Sequence, residues 1–411
     1  MNRNLSVSAE RIAADIDALA EITEPGRPWT RRAFTPMFLK GREWLARRFA
    51  EAGLETRIDA AGNLIGRRAG SAPGLGTIMV GSHSDTVPDG GRFDGIAGVI
   101  AALEVARSLH GQLRHDFEVV DFLAEEVSIF GVSCIGSRGM IGLRPEAWLG
   151  RESDGLTLRE GIAQVGGDAA VMRPRSDIAA FLELHIEQGP VLQDQQLDIG
   201  VVTAIAGITR IEIIVEGRAD HAGTTPMGTR KDALAAAARL VLGVEALGRQ
   251  LSGGEHHFAA TVGEFAMEPN AANVVPSRAR LLIDARAEVR ADMDVFVSTI
   301  AKVCEAMAAE TGVTIHPPLT ISDNLPTPCD PFVLDTLDAS CAAVGARHRR
   351  MASGAGHDTA WMARVTKAGM IFIPCRDGRS HAPEEFADMA DIALGAAVLL
   401  DAVMKLDREL P

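Results

Sequence analysis

The chain is expected to fold as an α/β protein, with a mostly parallel sheet flanked by helices and an α+β lid inserted into it. Three observations lead there. Strand and helix signals alternate through the first half, the pattern that builds a layered parallel sheet. Histidines and carboxylates stand just beyond apolar runs, at the strand ends where ligands gather in such sheets. Between about 208 and 325 the pattern changes to half-exposed strands and amphipathic helices. The expected domains are 1–208 with 326–411, a discontinuous main domain that carries those histidines and carboxylates, and 209–325, the inserted lid.

The elements follow in order. Ile12, Ile16 and Leu19 make one helical stripe, and 38–52 also reads as helix. Segments 55–59 and 63–66 read as short strands. An apolar run at 77–80 leads into His83, so a strand delivers this imidazole to a loop. Asp94 stands just before a helical pattern over 95–110. A second run, 117–123, delivers Glu125 and Glu126 in the same way, and 136–143 follows. A strand over 179–184 ends in His185. Strands at 209–216, 258–267 and 279–287 and helices at 230–248 and 290–311 give the β-α-β-β-α order of the lid. Prolines at 317, 318, 326 and 328 mark the return to the main domain. A buried-type strand over 369–374 precedes His381.

The 411 residues are 47% hydrophobic, enough for two or three domains with a large core. The net charge of −14 argues against nonspecific nucleic-acid binding, which requires a basic face. Five dispersed cysteines without a Cys-x-x-Cys pair fit reduced thiols rather than a disulfide frame. The first dozen residues lack the apolar core of a leader, and no stretch reaches the roughly 20 apolar residues of a membrane span. A soluble, cytoplasmic protein is expected, with no membrane partner.

One imidazole and three carboxylates at strand ends form an anionic pocket that is costly without a cation. His83, Asp94, Glu126, His185 and His381 are the candidate ligands. Five such groups with one shared carboxylate suffice for two divalent ions, zinc by donor type, with manganese, cobalt or nickel also accommodated. Glu125, beside Glu126 but pointing elsewhere, is left free as general base. Asp85 is placed to hold the second ring nitrogen of His83 and fix its tautomer. His110, His115, His256, His257, His316 and His348 lack such placement and read as ordinary structural histidines.

Several segments together carry a resemblance. They are Gly81-Ser-His-Ser-Asp-Thr-Val-Pro-Asp-Gly-Gly-Arg-Phe-Asp-Gly, Glu125-Glu126, His185-Ile-Glu-Gln-Gly-Pro, Ala219-Asp-His-Ala-Gly-Thr-Thr-Pro-Met, Pro269-Asn-Ala-Ala-Asn-Val-Val-Pro, Ser353-Gly-Ala-Gly-His-Asp and Ser380-His-Ala-Pro-Glu. In this order, from about 80 to 385, the chain resembles the dinuclear-zinc amidases of the hydantoinase/carbamoylase type. These are relatives of the M20 metallopeptidases, among them N-carbamoyl-L-amino acid hydrolases, β-ureidopropionases and allantoate amidohydrolases. The His-Ile-Glu-Gln-Gly-Pro and Asp-His-Ala-Gly-Thr-Thr-Pro motifs are specific to this group. General M20 peptidases typically carry Asp or Glu where His185 stands.

The resemblance implies a first metal site of His83, Asp94 and His185, and a second of Asp94, Glu126 and His381, with Asp94 bridging. It implies Glu125 as catalytic base and Gln188, His221, Asn273, Arg286 and His357 as substrate contacts. It further implies a homodimer formed through the lid, with His221 able to reach the active site of the other subunit. One departure stands out. Relatives commonly carry an arginine after the paired glutamates, where this chain has Val127-Ser-Ile129-Phe-Gly131; Arg138 does match.

The expected chemistry is hydrolysis of a linear C–N bond in an N-carbamoyl amino acid, with allantoate as the rival substrate. An N-acyl amino acid deacylase, an aminopeptidase and a non-catalytic binding protein on the same fold are more distant alternatives. His221, helped by Asn273, suits a developing oxyanion. Arg286 suits a substrate carboxylate through two parallel hydrogen bonds, or else an ion pair with Asp284 or Glu288. The glycines before His357, Gly356 among them, would let backbone N–H groups approach an anionic substrate, or else form an ordinary tight loop.

Overall fold

The computed structural model describes residues 7–171 and 174–411. Residues 1–6, part of the stretch read as lacking a leader's apolar core, lie outside the described residues. The chain divides into two compact units. One takes the described residues up to Thr203, with Pro328–Met351 and His357–Pro411. The other takes Ala204–Thr327 and also Ala352–Gly356, a segment that the sequence reading left in the larger domain.

In the larger unit the sheet runs, in spatial order, Glu55–Ile58, Leu64–Arg68, Asp116–Phe122, Thr77–His83, Ile178–Ile186, Lys367–Ile373 and Ile199–Ile205. The four strands from Asp116–Phe122 to Lys367–Ile373 are mutually parallel. The neighbours at either side pair antiparallel. Thr77–His83 is buried along its whole length, as expected of a strand covered on both faces. The helix Ile96–Ser108 that follows is apolar on nearly every side and buried to match. Ile12, Ile16 and Leu19 are fully buried on Ala9–Ala20, whose first turn is capped by the Ser8 hydroxyl. Helix Pro36–Glu51 begins on a Thr35 cap with proline in its first turn.

Parallel register puts the chemistry at one edge. His83 lies opposite Phe122, three residues before Glu125, and His185 lies opposite Phe372. Consequently the strands that deliver His83, Glu125, Glu126, His185 and His381 all end on the same side.

In the smaller unit, Phe258–Glu268, Arg278–Ala287 and Gly207–Glu216 form an antiparallel sheet joined by Thr314–Ile315 and Leu319–Asn324. Its strands alternate. Ile211, Ile213, Val215, Leu281 and Ile283 pack on Leu240, Val244, Phe296 and Ile300 of helices Ala233–Ser252 and Arg290–Thr311. Each fully buried aliphatic or aromatic side chain contributes about 1.5–3 kcal/mol. The opposite face carries ion pairs, Arg280 with Glu264 at 2.9 Å and Arg210 with Asp284 at 3.2 Å.

Candidate metal centre

His83 and His185 are each 1% exposed. The His83 Nδ1–H donates to the Asp85 carbonyl at 3.1 Å, and the His185 Nδ1–H donates to the Ile186 carbonyl at 2.9 Å. Both imidazoles therefore turn Nε2 inward. His83 Nε2 lies 3.4 Å and His185 Nε2 3.3 Å from Asp94 Oδ1. The other Asp94 oxygen, Oδ2, lies 3.3 Å from His381 Nε2, which stands 3.1 Å from Glu126 Oε1. Two donor groups result: His83, Asp94 and His185, and Asp94, Glu126 and His381. Within each, the donor atoms lie within 4.8 Å of one another. Asp94 belongs to both.

This donor set fits divalent cations. His83 Nε2 is buried without a hydrogen-bond partner, and the atoms facing it are carboxylate oxygens. Lone pairs converge on lone pairs, an arrangement that needs a proton or a cation between them. Protons already respond to it. Burial alone would lower the His83 pKa, but Glu125, Asp85 and Asp94 outweigh it and hold His83 well above the usual imidazole value. His185 is raised against its burial chiefly by Asp94. Hydrogen bonds to Asp94 and Glu126 raise His381 to about 10. Burial pushes Asp94 upward, yet His185, His381 and His83 together hold it well below the usual carboxylate range.

Glu125 behaves differently from its neighbour. Its Oε2 lies 3.7 Å from His83 Nε2, while Cys134 Sγ lies 3.7 Å from Oε1. Burial drives its carboxyl well above the usual range; His83 opposes this, while Glu126, Asp358 and Asp85 add to it. A buried carboxyl with a raised pKa beside a metal-type cluster has the setting of a proton carrier. Main-chain bonds fix the turn that presents it, with the Cys134 and Ile135 N–H groups donating to the Glu125 and Ala124 carbonyls at 3.0 and 3.1 Å.

Asp85 holds the second nitrogen of His83, but chiefly through its main chain. The second nitrogen of His83 is held by the Asp85 main-chain carbonyl, with the carboxylate farther away at 3.5 Å. The carboxylate instead accepts from the N–H groups of Glu125 and Glu126, at 3.2 and 3.3 Å. The carbonyl takes the Nδ1–H of the imidazole, which leaves the carboxylate oxygens to the two main-chain N–H groups.

The expected substrate contacts divide between the two units. Gln188 and His357 lie in the larger one; His221, Asn273, Arg286 and Gly356 lie in the smaller one. Gln188, with a left-handed backbone at φ 57°, donates Nε2 to Asp94 Oδ2 at 2.6 Å. The His357 ring packs edge-on against His185 at 4.6 Å, and burial together with His185 and His83 pushes its pKa well down, favouring the neutral imidazole. His221 Nδ1 accepts from the Gly223 and Thr224 N–H groups at 3.1 and 3.2 Å, so in the neutral ring the proton sits on Nε2. A β-bridge from His221 to Val274 brings His221 beside Asn273, and both are exposed. Arg286 donates to Asp284 Oδ1 at 2.9 Å and to the Gly354 carbonyl at 2.7 Å. After the strand His348–Ser353 the tight spot is Gly354, where a Cβ would meet the His257 ring at 2.9 Å; at Gly356 a Cβ would meet nothing within 4 Å. Gly356 is therefore not required by crowding.

Ile129, in place of the arginine common among relatives, packs partly buried against a cluster that includes Phe34, Phe38 and Phe130. The Arg138 guanidinium lies 3.5 Å from the Trp361 ring centroid and 4.7 Å from that of Trp148. The sequence reading missed the buried groups behind the cluster. Asp121, paired with Arg42 at 2.8 Å, accepts from Ser84 at 3.0 Å. Glu183 accepts from Ser82 at 2.7 Å and Thr359 at 2.6 Å. Glu385 accepts from the main chain of Phe93 and Asp94. Their signal was a charge inside an apolar run or next to a motif, which by itself does not reveal a partner.

The model of peptidase family M20/M25/M40 matches residues 79–405. The chain is 39% identical to an N-carbamoyl-L-amino-acid amidohydrolase of Paenarthrobacter aurescens, over 97% of this chain and 98% of that one. It is 33% identical to an allantoate amidohydrolase of Bacillus subtilis, over 92% of each. A crystal structure of a hydantoinase/carbamoylase family amidase from Burkholderia multivorans superposes with a TM-score of 0.93 at 35% identity, covering 99% of this chain and 100% of that one. With the match spanning most of its length and the donor groups meeting at one sheet edge, the chain belongs to peptidase family M20/M25/M40.

Proposed function

We propose that the protein hydrolyses the linear C–N bond of an N-carbamoyl amino acid, yielding the free amino acid, ammonia and carbon dioxide. The observation that carries this is the pair of donor groups sharing Asp94, with the buried Glu125 carboxyl beside them. When bound, two divalent cations, zinc in our reading, with manganese, cobalt or nickel acceptable to the same donors, would polarise the ureido carbonyl and acidify water.

The side chains supply the rest. Glu125 takes the proton of the attacking water and passes it to the leaving nitrogen; its raised pKa suits a group that both accepts and returns a proton. The Nε2–H of His221, helped by the Asn273 amide, is our candidate donor to the oxyanion. Arg286 is our candidate partner for the substrate carboxylate, the role that its ion pair with Asp284 imitates. Gln188 and the neutral His357 complete the proposed contacts, and Asp85 aims the backbone of Glu125 and Glu126. We further propose residues 209–325 as a lid that closes on substrate and as the surface of a homodimer. Five buried free cysteines support a reducing, cytoplasmic setting. Among the described residues no helix is long and apolar enough to cross a membrane.

A second reading, hydrolysis of allantoate, is favoured by the likeness to the Bacillus subtilis allantoate amidohydrolase. One experiment separates the two. Ammonia release is measured from N-carbamoyl amino acids, carbamoyl-β-alanine and allantoate, with zinc and manganese compared. Turnover of carbamoyl amino acids is expected. Turnover of allantoate alone would replace the first reading with the second, and activity of chelator-treated protein equal to that of loaded protein would refute both.

A further inference from the structure

Glu385 is 4% exposed, and its carboxylate reaches three places at once. Oε1 accepts from Phe93 N at 2.9 Å and from Asp94 N at 3.0 Å. Oε2 lies 2.7 Å from Ser380 Oγ, and the same hydroxyl lies 2.8 Å from Asp94 Oδ2. Ser380 immediately precedes His381. Glu385 thus holds the main chain of Asp94 directly and shares the one hydrogen of the Ser380 hydroxyl with Asp94 Oδ2, an oxygen that Gln188 Nε2 also meets at 2.6 Å. Gly91 makes the room: a Cβ there would stand 1.9 Å from the Glu385 carboxyl carbon. The adjacent Glu384 has no share in this; it is 60% exposed and pairs with Arg379 at 3.1 Å.

The two oxygens of Asp94 serve different groups. Oδ1 faces His83 and His185, each anchored independently by a main-chain carbonyl. Oδ2 faces His381, whose side chain is half exposed and whose backbone is left-handed at φ 55°. The Ser380 tie therefore bears most directly on the second donor group, while the first keeps two histidines that are anchored without it.

We propose that Glu385 is a positioning residue which, through Ser380, aligns Asp94 Oδ2 with His381 and so governs retention of the second cation independently of the first. This rests on reading the cluster as a two-cation site. Partners behind metal ligands typically change affinity about 10–100-fold when removed, because a ligand free to rotate must be re-ordered on binding.

The test titrates metal-free protein with Zn²⁺ against a competing chelator and resolves the two binding steps, for wild type, Glu385→Ala, Glu385→Gln and Ser380→Ala. Melting of each metal-free protein checks folding. In Glu385→Ala and Ser380→Ala the second step is expected to weaken at least ~10-fold while the first stays within ~3-fold. Glu385→Gln should recover part of the loss, because its amide oxygen still accepts from Phe93 and Asp94 while its amide N–H donates to Ser380 Oγ and leaves that hydroxyl hydrogen to Asp94 Oδ2. If Glu385→Ala does not fold, Ser380→Ala decides. Equal weakening of both steps, or of neither, overturns the proposal. A wild type that binds no Zn²⁺ would instead sink the two-cation reading itself.

Discussion

The carboxylate of Asp85 accepts a hydrogen bond from the main-chain N–H of Glu125 at 3.2 Å, so the residue beside one donor histidine aims the proposed base. The His83 tautomer depends on the Asp85 carbonyl, which every substitution retains. Asp85→Ala should therefore leave Zn²⁺ affinity at the first donor group within a few-fold while lowering kcat about 10–100-fold. Metal titration and steady-state kinetics on the same preparation check this. Parallel loss of affinity and kcat would show that the Asp85 carboxylate, and not its carbonyl alone, holds the imidazole.

Glu125→Gln keeps the shape of the side chain and removes its proton chemistry. Metal content should be unchanged, and kcat should fall at least ~10²-fold. Turnover within a few-fold of wild type would remove Glu125 from the mechanism.

Gly95 precedes helix Ile96–Ser108 with φ 64°, and a Cβ there would lie 2.4 Å from His83 ring atoms. Gly95→Ala combines left-handed strain with displacement of a donor. Loss of the first-group cation is expected, together with a lower melting temperature in the metal-free protein. Metal stoichiometry equal to wild type would show that the ring has room to retreat.

Cation affinity should rise with pH. His83, His185 and His381 all hold their protons more tightly than free imidazole, His381 up to about 10, and each must release its proton to ligate. At neutral pH the proton competes, and each proton displaced strengthens binding about tenfold per pH unit until the pH passes that group's pKa. Chelator competition between pH 6 and 8 measures the slope. A flat profile would mean that the histidines are already neutral.

Arg286→Ala and His221→Ala should separate binding from chemistry. The former is expected to raise KM for carboxylate-bearing substrates, with kcat nearly kept. The latter, removing an oxyanion donor, should lower kcat about 10²–10³-fold with a smaller change in KM. The opposite pattern would exchange the two assignments.

Much of this molecule can be read along the chain. The 77–80 and 117–123 runs announce buried strands because parallel strands covered on both faces must be continuously apolar, and both are found. Alternation along 209–216 announces a one-sided sheet, and Ile211, Ile213 and Val215 are indeed the buried set. Placement beyond such runs separated His83, His185 and His381 from the other histidines, because strand direction carries a loop residue to a predictable edge.

Glu125 and Glu126 were divided beforehand because adjacent side chains diverge, and one meets Cys134 and the other His381. The linear pattern is silent on Glu384 and Glu385, of which one is solvated and the other sits behind Asp94. Periodicity reports which face of an element avoids water, and residue type reports which atoms are able to bind a cation. Which oxygen meets which proton across nearly three hundred residues is set by strand register and by glycines such as Gly91 that open space for an approaching side chain. Those distances exist only after the sheet has assembled, which is why the kinds of donor were legible beforehand and their alignment was not.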